Sequence, residues 1–131
     1  MKFRNNAHRT AFMDAIKDMR RSDNATLAAV YSLTADSRLW NQVKRCVRRN
    51  EILFDQMKPI GSTTNSYALF CVAKDLCLGT AHITLGELAD PELIPPKLFG
   101  VICNAIAIRR YGLTAIHAQP GRKTGRKEES E

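Results

Sequence analysis

Arg38, Asn41, Gln42, Lys44, Arg45, Arg48 and Arg49 fall in one stretch, residues 37–50, that contains no acidic residue. Arginine presents a planar fork of donors that matches carboxylate and phosphate oxygens, and lysine adds a mobile point charge. Asn, Gln and Arg are also the residue types that read base edges in a DNA groove. Two chemistries suit such a stretch: gripping an acidic protein face, or contacting nucleic acid. A third reading needs no partner. A row of cations is commonly a solvated helix face, and Arg48 and Arg49 near a helix C-terminus also complement the helix dipole.

Catalytic chemistry has less to stand on. His8 belongs to the residue type that serves as acid, base or metal ligand near neutral pH. No Asp, Glu or Cys stands at a spacing that completes a site with it, so a partly buried His bonded to the backbone is the expectation. Asp14, Asp18, His8 and Arg109 would form an enzyme site only if the fold gathered them, and their spacing does not demand it. Cys46, Cys71, Cys77 and Cys103 contain no Cys-x-x-Cys pair, and with His8, His82 and His117 they match no zinc spacing. All four are expected to be reduced core residues. The reading is of a protein with no catalytic residues, no metal and no cofactor.

These residues need elements to position them. Residues 24–33 are apolar or small on nearly every side of a helix, as in a helix buried within a core, and Asp23 or Asn24 can cap its start. A helix over 7–20 carries Phe12, Ile16 and Met19 at helical spacing, with His8 one turn before Phe12 and Asn5 or Asn6 as cap. The basic stretch reads as one helix over 37–50, capped by Asp36 or Ser37, with Leu39, Trp40, Val43, Cys46 and Val47 as its apolar stripe. Residues 51–57 read as strand or helical turn, broken by Pro59 and Gly61. A second apolar helix is predicted over 65–78, with several caps on offer in Ser62-Thr63-Thr64-Asn65-Ser66 and Gly79 ending it in a left-handed conformation. Thr84 and Glu87 form a capping box. Pro95 and Pro96 open a last helix over 97–111, with Leu98, Val101, Ile102, Ala105 and Ile108 inward and Gly112 as its stop.

The fold class is therefore all-α: an irregular bundle of about five helices around two apolar ones, with one short β or extended segment. Residues 1–118 read as a single helical domain and 119–131 as a disordered polar tail. The chain has 131 residues, 44% hydrophobic and 25% charged, with a net charge of +7. That excess of cations favours an anionic partner and also aids solubility. No apolar run is long enough to span a membrane, and the first residues lack the apolar core of a signal peptide, so a cytoplasmic protein is expected.

Several segments together carry a resemblance. Phe3-x-Asn5-x-x-His8-x-x-x-Phe12, Ala28-Ala29-Val30-Tyr31-Ser32-Leu33, Tyr67-Ala68-Leu69-Phe70-Cys71-Val72-Ala73-Lys74-Asp75-Leu76 and Ala105-Ile106-Ala107-Ile108-Arg109 follow in that order over residues 3–111. The pattern resembles a family of small helical proteins from Firmicutes, their phages and conjugative elements (DUF6075-like, a domain of unknown function). The resemblance implies a mostly helical fold and an origin in a phage or mobile element. It supplies no activity and no catalytic residues, and the basic stretch lies outside it.

Two functional expectations follow. The first is a small non-enzymatic interaction protein, a mobile-element modulator or inhibitor of a host defence machine, occluding a surface through the basic helix. Its partner would be a host or phage protein, or a nucleoprotein complex. The second is a nucleic-acid-binding accessory protein, since residues 24–50 have roughly helix-turn-helix proportions.

Overall fold

The computed structural model describes residues 3–17, 19, 23–48, 51–58 and 63–117. Among them the chain forms α1 (Asn6–Lys17), α2 (Asn24–Thr34), α3 (Ser37–Val43), α4 (Thr64–Leu78), α5 (Leu85–Leu88), α6 (Pro96–Tyr111) and α7 (Thr114–His117). Single 3-10 turns occupy Lys44–Cys46 and Phe54–Gln56. No sheet forms among the described residues, so the fold is a helical bundle, as its sequence pattern predicts.

Helix α2 is the centre of the bundle. Each residue from Leu27 through Thr34 is buried, which leaves that stretch no face for water. Helices α4 and α6 cover most of it, α1 closes another side, and α3 leans on its C-terminal end. Its start is fixed by Asp23, whose side chain accepts from the Thr26 N–H at 2.8 Å. Two hydroxyls buried in the core are satisfied inside the helix: Ser32 Oγ donates to the Ala28 carbonyl at 2.9 Å and Thr34 Oγ1 to the Val30 carbonyl at 2.7 Å. Such bonds to the preceding turn let polar residues sit in a core without an orphaned donor.

The chain before α1 folds back over α2. Asn5 caps α1 by accepting from the His8 N–H at 2.8 Å. Phe3, His8, Phe12 and Tyr31 then stack, with the His8 and Tyr31 rings 4.5 Å apart and Phe3 5.1 Å from His8, edge-on. His8 is 1% exposed, fully rather than partly buried, because Phe3 and Arg4 lie over it. The Arg4 side chain reaches the Ala35 carbonyl at 3.1 Å, closing the open C-terminal end of α2. On the far side, Asn104 of α6 donates to the Tyr31 hydroxyl at 3.1 Å, and burial pushes that phenol up to about 12.

The remaining caps follow the sequence closely. Thr63 caps α4, and Gly79 ends it with φ 75°. The Thr84–Glu87 capping box forms in both directions. Helix α6 begins at Pro96, with Leu98, Val101, Ile102, Ala105 and Ile108 all buried, and stops at Gly112. At Gly112 the backbone has φ 78°, and an added Cβ would sit 2.9 Å from Asn24 Oδ1, so any side chain there is strained and must displace the Asn24 amide.

The basic helix is shorter than its periodicity predicts. Helix geometry ends at Val43, tightens into the 3-10 turn, and becomes extended at Val47, which pairs with Ile52 in an isolated antiparallel bridge. The Cys46 carbonyl accepts from Leu53 N–H at 2.9 Å, and Arg48 N–H donates to Glu51 at 2.8 Å. Those partners replace the helical bonds that a continuation to residue 50 would need. The inward stripe survives because a 3-10 turn places residues three apart on one side, so Val43 and Cys46 both stay buried.

The predicted polar tail, the ends of the 7–20 and 37–50 predictions, and the Pro59–Gly61 break lie outside the described residues.

Candidate partner-binding face

One hydrogen-bonded chain fixes the direction of α3. Asp36 Oδ1 accepts from the Leu39 N–H at 3.0 Å and so caps the helix. Its other oxygen, Oδ2, accepts from the buried Ser66 hydroxyl at 2.9 Å. The Thr63 hydroxyl in turn donates to Ser66 Oγ at 3.0 Å while capping α4. A single carboxylate thus ties together the starts of two helices through a contact between residues 30 apart in sequence.

With Leu39 and Val43 turned inward, the polar side of α3 faces out. Arg38, Asn41, Lys44 and Arg45 are exposed and Gln42 is half-buried; Arg48 is exposed too, but on the extended segment rather than a helix. Arg49 lies outside the described residues. The structure adds a residue the sequence reading missed. Lys58 joins Asn41, Gln42, Lys44 and Arg45 around a shallow hollow of about 420 Å³, with no acidic side chain in its wall among the described residues. Its nearest sequence signal was a lone Lys before Pro59, too far from residues 37–50 for any local pattern to connect them. Among the described residues none of Arg38, Lys44, Arg45, Arg48 and Lys58 is ion-paired. Unpaired neighbouring cations raise a positive potential that only an outside anion or solvent offsets.

Beside this face, α1 and α3 enclose a crevice. Ala7 and Ala11 of α1 face Trp40 across a hollow of about 500 Å³. Ala15 and Met19 face Trp40, Lys44 and Arg48 across a second of about 350 Å³. Trp40 and Asp14 border both.

The other candidate residues go separate ways. His8 is engaged at both ring nitrogens: Nδ1 accepts from the Arg4 N–H at 2.9 Å, so the proton sits on Nε2, which reaches the Tyr31 carbonyl at 2.9 Å. Burial lowers its pKa to about 4, against a weaker upward pull from the Tyr31 bond. A ring held neutral and sealed cannot exchange protons with a substrate. Asp14 pairs with Lys17 at 3.7 Å on the surface. Arg109 donates to the Leu76 carbonyl at the far end of α4, and Asp18 lies outside the described residues. Among the described residues, the structure does not bring His8, Asp14 and Arg109 together.

Of the cysteines, Cys46 and Cys71 are buried and Cys77 is half-buried, but Cys103 is exposed. That corrects the expectation of four core cysteines. The inward positions of α6 place Cys103 on the opposite side of that helix. Among the described residues no three His, Cys, Asp or Glu side chains cluster as metal ligands.

Sequence reasoning also missed an acid–histidine pair. Asp75 Oδ1 lies 3.0 Å from His82 Nδ1, and the same carboxylate accepts from the Thr80 hydroxyl and from the N–H groups of His82 and Ile83. Partial burial alone would raise the Asp75 pKa, and these bonds outweigh it, holding the carboxyl below its ordinary value. The Thr80 hydroxyl donates to Asp75 and so offers no proton to His82. The arrangement pins the loop after α4 rather than activating a nucleophile.

No helix of the described residues is long and apolar enough to cross a membrane. Compared with known proteins, the chain matches no family model, no curated protein and no solved structure.

Proposed function

We propose that the chain is a non-enzymatic interaction protein that docks an acidic surface of a protein partner onto the face formed by Arg38, Asn41, Gln42, Lys44, Arg45 and Lys58, continued by Arg48. The observation that carries this reading is the hollow in which Lys58 joins Lys44 and Arg45, with no acid in its wall among the described residues. Arginine and lysine held side by side in this way favour carboxylate-rich surfaces through complementary potential and rapid encounter. Covering a surface is then the activity itself, as suits a mobile-element protein that modulates or inhibits a host machine.

A helix-turn-helix reading of residues 24–43 has less support. In that motif the first helix crosses the phosphate backbone while the second enters the groove, whereas α2 is buried from Leu27 to Thr34.

The test is affinity capture from a host lysate, with and without nuclease, using the wild type and a variant carrying Arg38→Glu, Arg45→Glu and Lys58→Glu. The expected result is a protein captured regardless of nuclease and lost in the variant. Capture abolished by nuclease would transfer the function to nucleic acid, and a variant that keeps every partner would refute the reading.

A further inference from the structure

We propose that the crevice between α1 and α3 is a docking groove for an acidic amphipathic segment of a protein partner. The proposal rests on the basic-face reading and specifies what that face would hold.

Three features favour this occupant. The floor carries a row of small apolar side chains: Ala7, Ala11 and Ala15 stand two helical turns apart end to end, about 12 Å along α1, opposite the half-buried Trp40, with the polar Asn6, Thr10, Ser37 and Asn41 around the first hollow. Trp40 divides the crevice into two hollows, one for each of two apolar anchors on successive turns of a bound helix. The rim is cationic, with Lys44 and Arg48 at one hollow and Arg45 and Lys58 just beyond. Apolar anchors flanked by carboxylates match a floor of this kind beneath a rim of that charge. Among the described residues the single acid on the wall, Asp14, is paired with Lys17. A nucleic acid strand fits less well, because successive bases need a series of aromatic platforms, and Trp40 is the one aromatic side chain lining the crevice among the described residues.

Trp40 is the only tryptophan in the chain, so its fluorescence reports on the groove directly. The experiment selects binders from a random displayed-peptide library on the wild-type protein, then titrates the recovered peptides while following Trp40 emission. Ala11→Phe and, separately, Ala7→Phe fill the first hollow without changing charge, and Lys44→Glu with Arg48→Glu reverses the rim. Thermal unfolding of each variant confirms that it folds, and Ala7, being exposed, carries the test if Ala11→Phe does not.

The expected result is recovery of acidic sequences with apolar residues at helical spacing, a blue shift of Trp40 emission on binding, and affinity at least about tenfold weaker in both the filled and the reversed variants. Peptides weakened by the reversed rim but not by the filled hollow would overturn the groove and leave the basic face standing. Recovery of peptides without acids, or of none, would overturn the groove, while the lysate capture decides the face independently. Oligothymidylate that shifts Trp40 emission at lower concentration than any recovered peptide would overturn the proposal in favour of single-stranded nucleic acid.

Discussion

The Nε2–H of His8 meets the main-chain carbonyl of Tyr31 at 2.9 Å, joining α1 to α2 where neither ring is open to water. Because Nδ1 already accepts the Arg4 N–H, the native fold has room for one ring proton and no second. A histidine is being used as a neutral splice between an N-terminal segment and the central helix.

Stability should therefore depend on acid. The native pKa of about 4 lies below the ordinary 6.5, so between those values the unfolded chain binds a proton that the folded one refuses. The contribution is complete above pH 6.5, shrinks as pH falls through that window, and totals roughly 3 kcal/mol by about pH 4. Urea unfolding at a series of pH values measures it. His8→Phe should flatten this part of the profile; a wild type equally stable at pH 7 and pH 4.5 would contradict the neutral ring.

Asp36 should be worth more than an ordinary cap. Losing an N-cap costs about 1 kcal/mol, and Asp36→Ala also leaves the buried Ser66 hydroxyl without its acceptor, about 1–3 kcal/mol more. Asp36→Asn keeps one acceptor oxygen for the Leu39 N–H but turns an NH2 donor toward the Ser66 hydroxyl, so it should retain the cap, lose the link, and fall between the wild type and Asp36→Ala. Chemical denaturation of Asp36→Ala, Ser66→Ala and the double variant should give a coupling of at least about 0.5 kcal/mol, and strict additivity would separate the two caps.

Two glycines with positive φ should respond differently to alanine. Gly79 has open space around its Cβ position, so Gly79→Ala should cost about 1 kcal/mol of backbone strain. Gly112, at φ 78° and ψ −161°, combines a glycine-only conformation with the close approach to Asn24. Gly112→Ala should cost more, about 2–3 kcal/mol, and Asn24→Ala in the same chain should narrow the gap. Melting temperatures of the set decide it.

Native thiol chemistry should single out one cysteine. Cys103 lies in solvent, Cys46 and Cys71 are enclosed, and burial pushes the Cys71 and Cys77 thiols up, away from the reactive thiolate. Brief alkylation followed by mass spectrometry should label Cys103 first, and all four only after denaturation. Labelling of Cys46 at the same rate would mean that the α3 region opens.

The basic face should be separable from the fold. With no ion pairs among the described residues to lose, Arg38→Glu, Arg45→Glu and Lys58→Glu should each change stability by less than about 0.5 kcal/mol, as thermal unfolding will show.

Local chemistry was legible in the sequence and long-range pairing was not. Asn5, Asp23, Asp36, Thr63 and Thr84 all act as the caps their types and positions suggest, and the stripe from Leu98 to Ile108 is buried as its spacing indicates, because both signals act within one or two helical turns. The basic helix was overextended because Val43, Cys46 and Val47 keep an inward rhythm in α, 3-10 and extended backbone alike, while the bond from Leu53 N–H to the Cys46 carbonyl leaves no local mark. The same limit hid Lys58, the Asp36–Ser66 link, and the depth of His8 beneath Phe3 and Arg4. Cys103 was different: the stripe already placed it outward, and reading it as core gave residue type precedence over position.

The enclosure of α2 has a consequence for how the molecule breathes. An amide inside a helix can trade its hydrogen with solvent only when the structure around it opens. For residues 27–34, opening means parting α1, α4 and α6 together, which amounts to unfolding the whole chain. In heavy water those amides should be the last to exchange, with one shared rate, and that rate should give the global unfolding free energy without any denaturant.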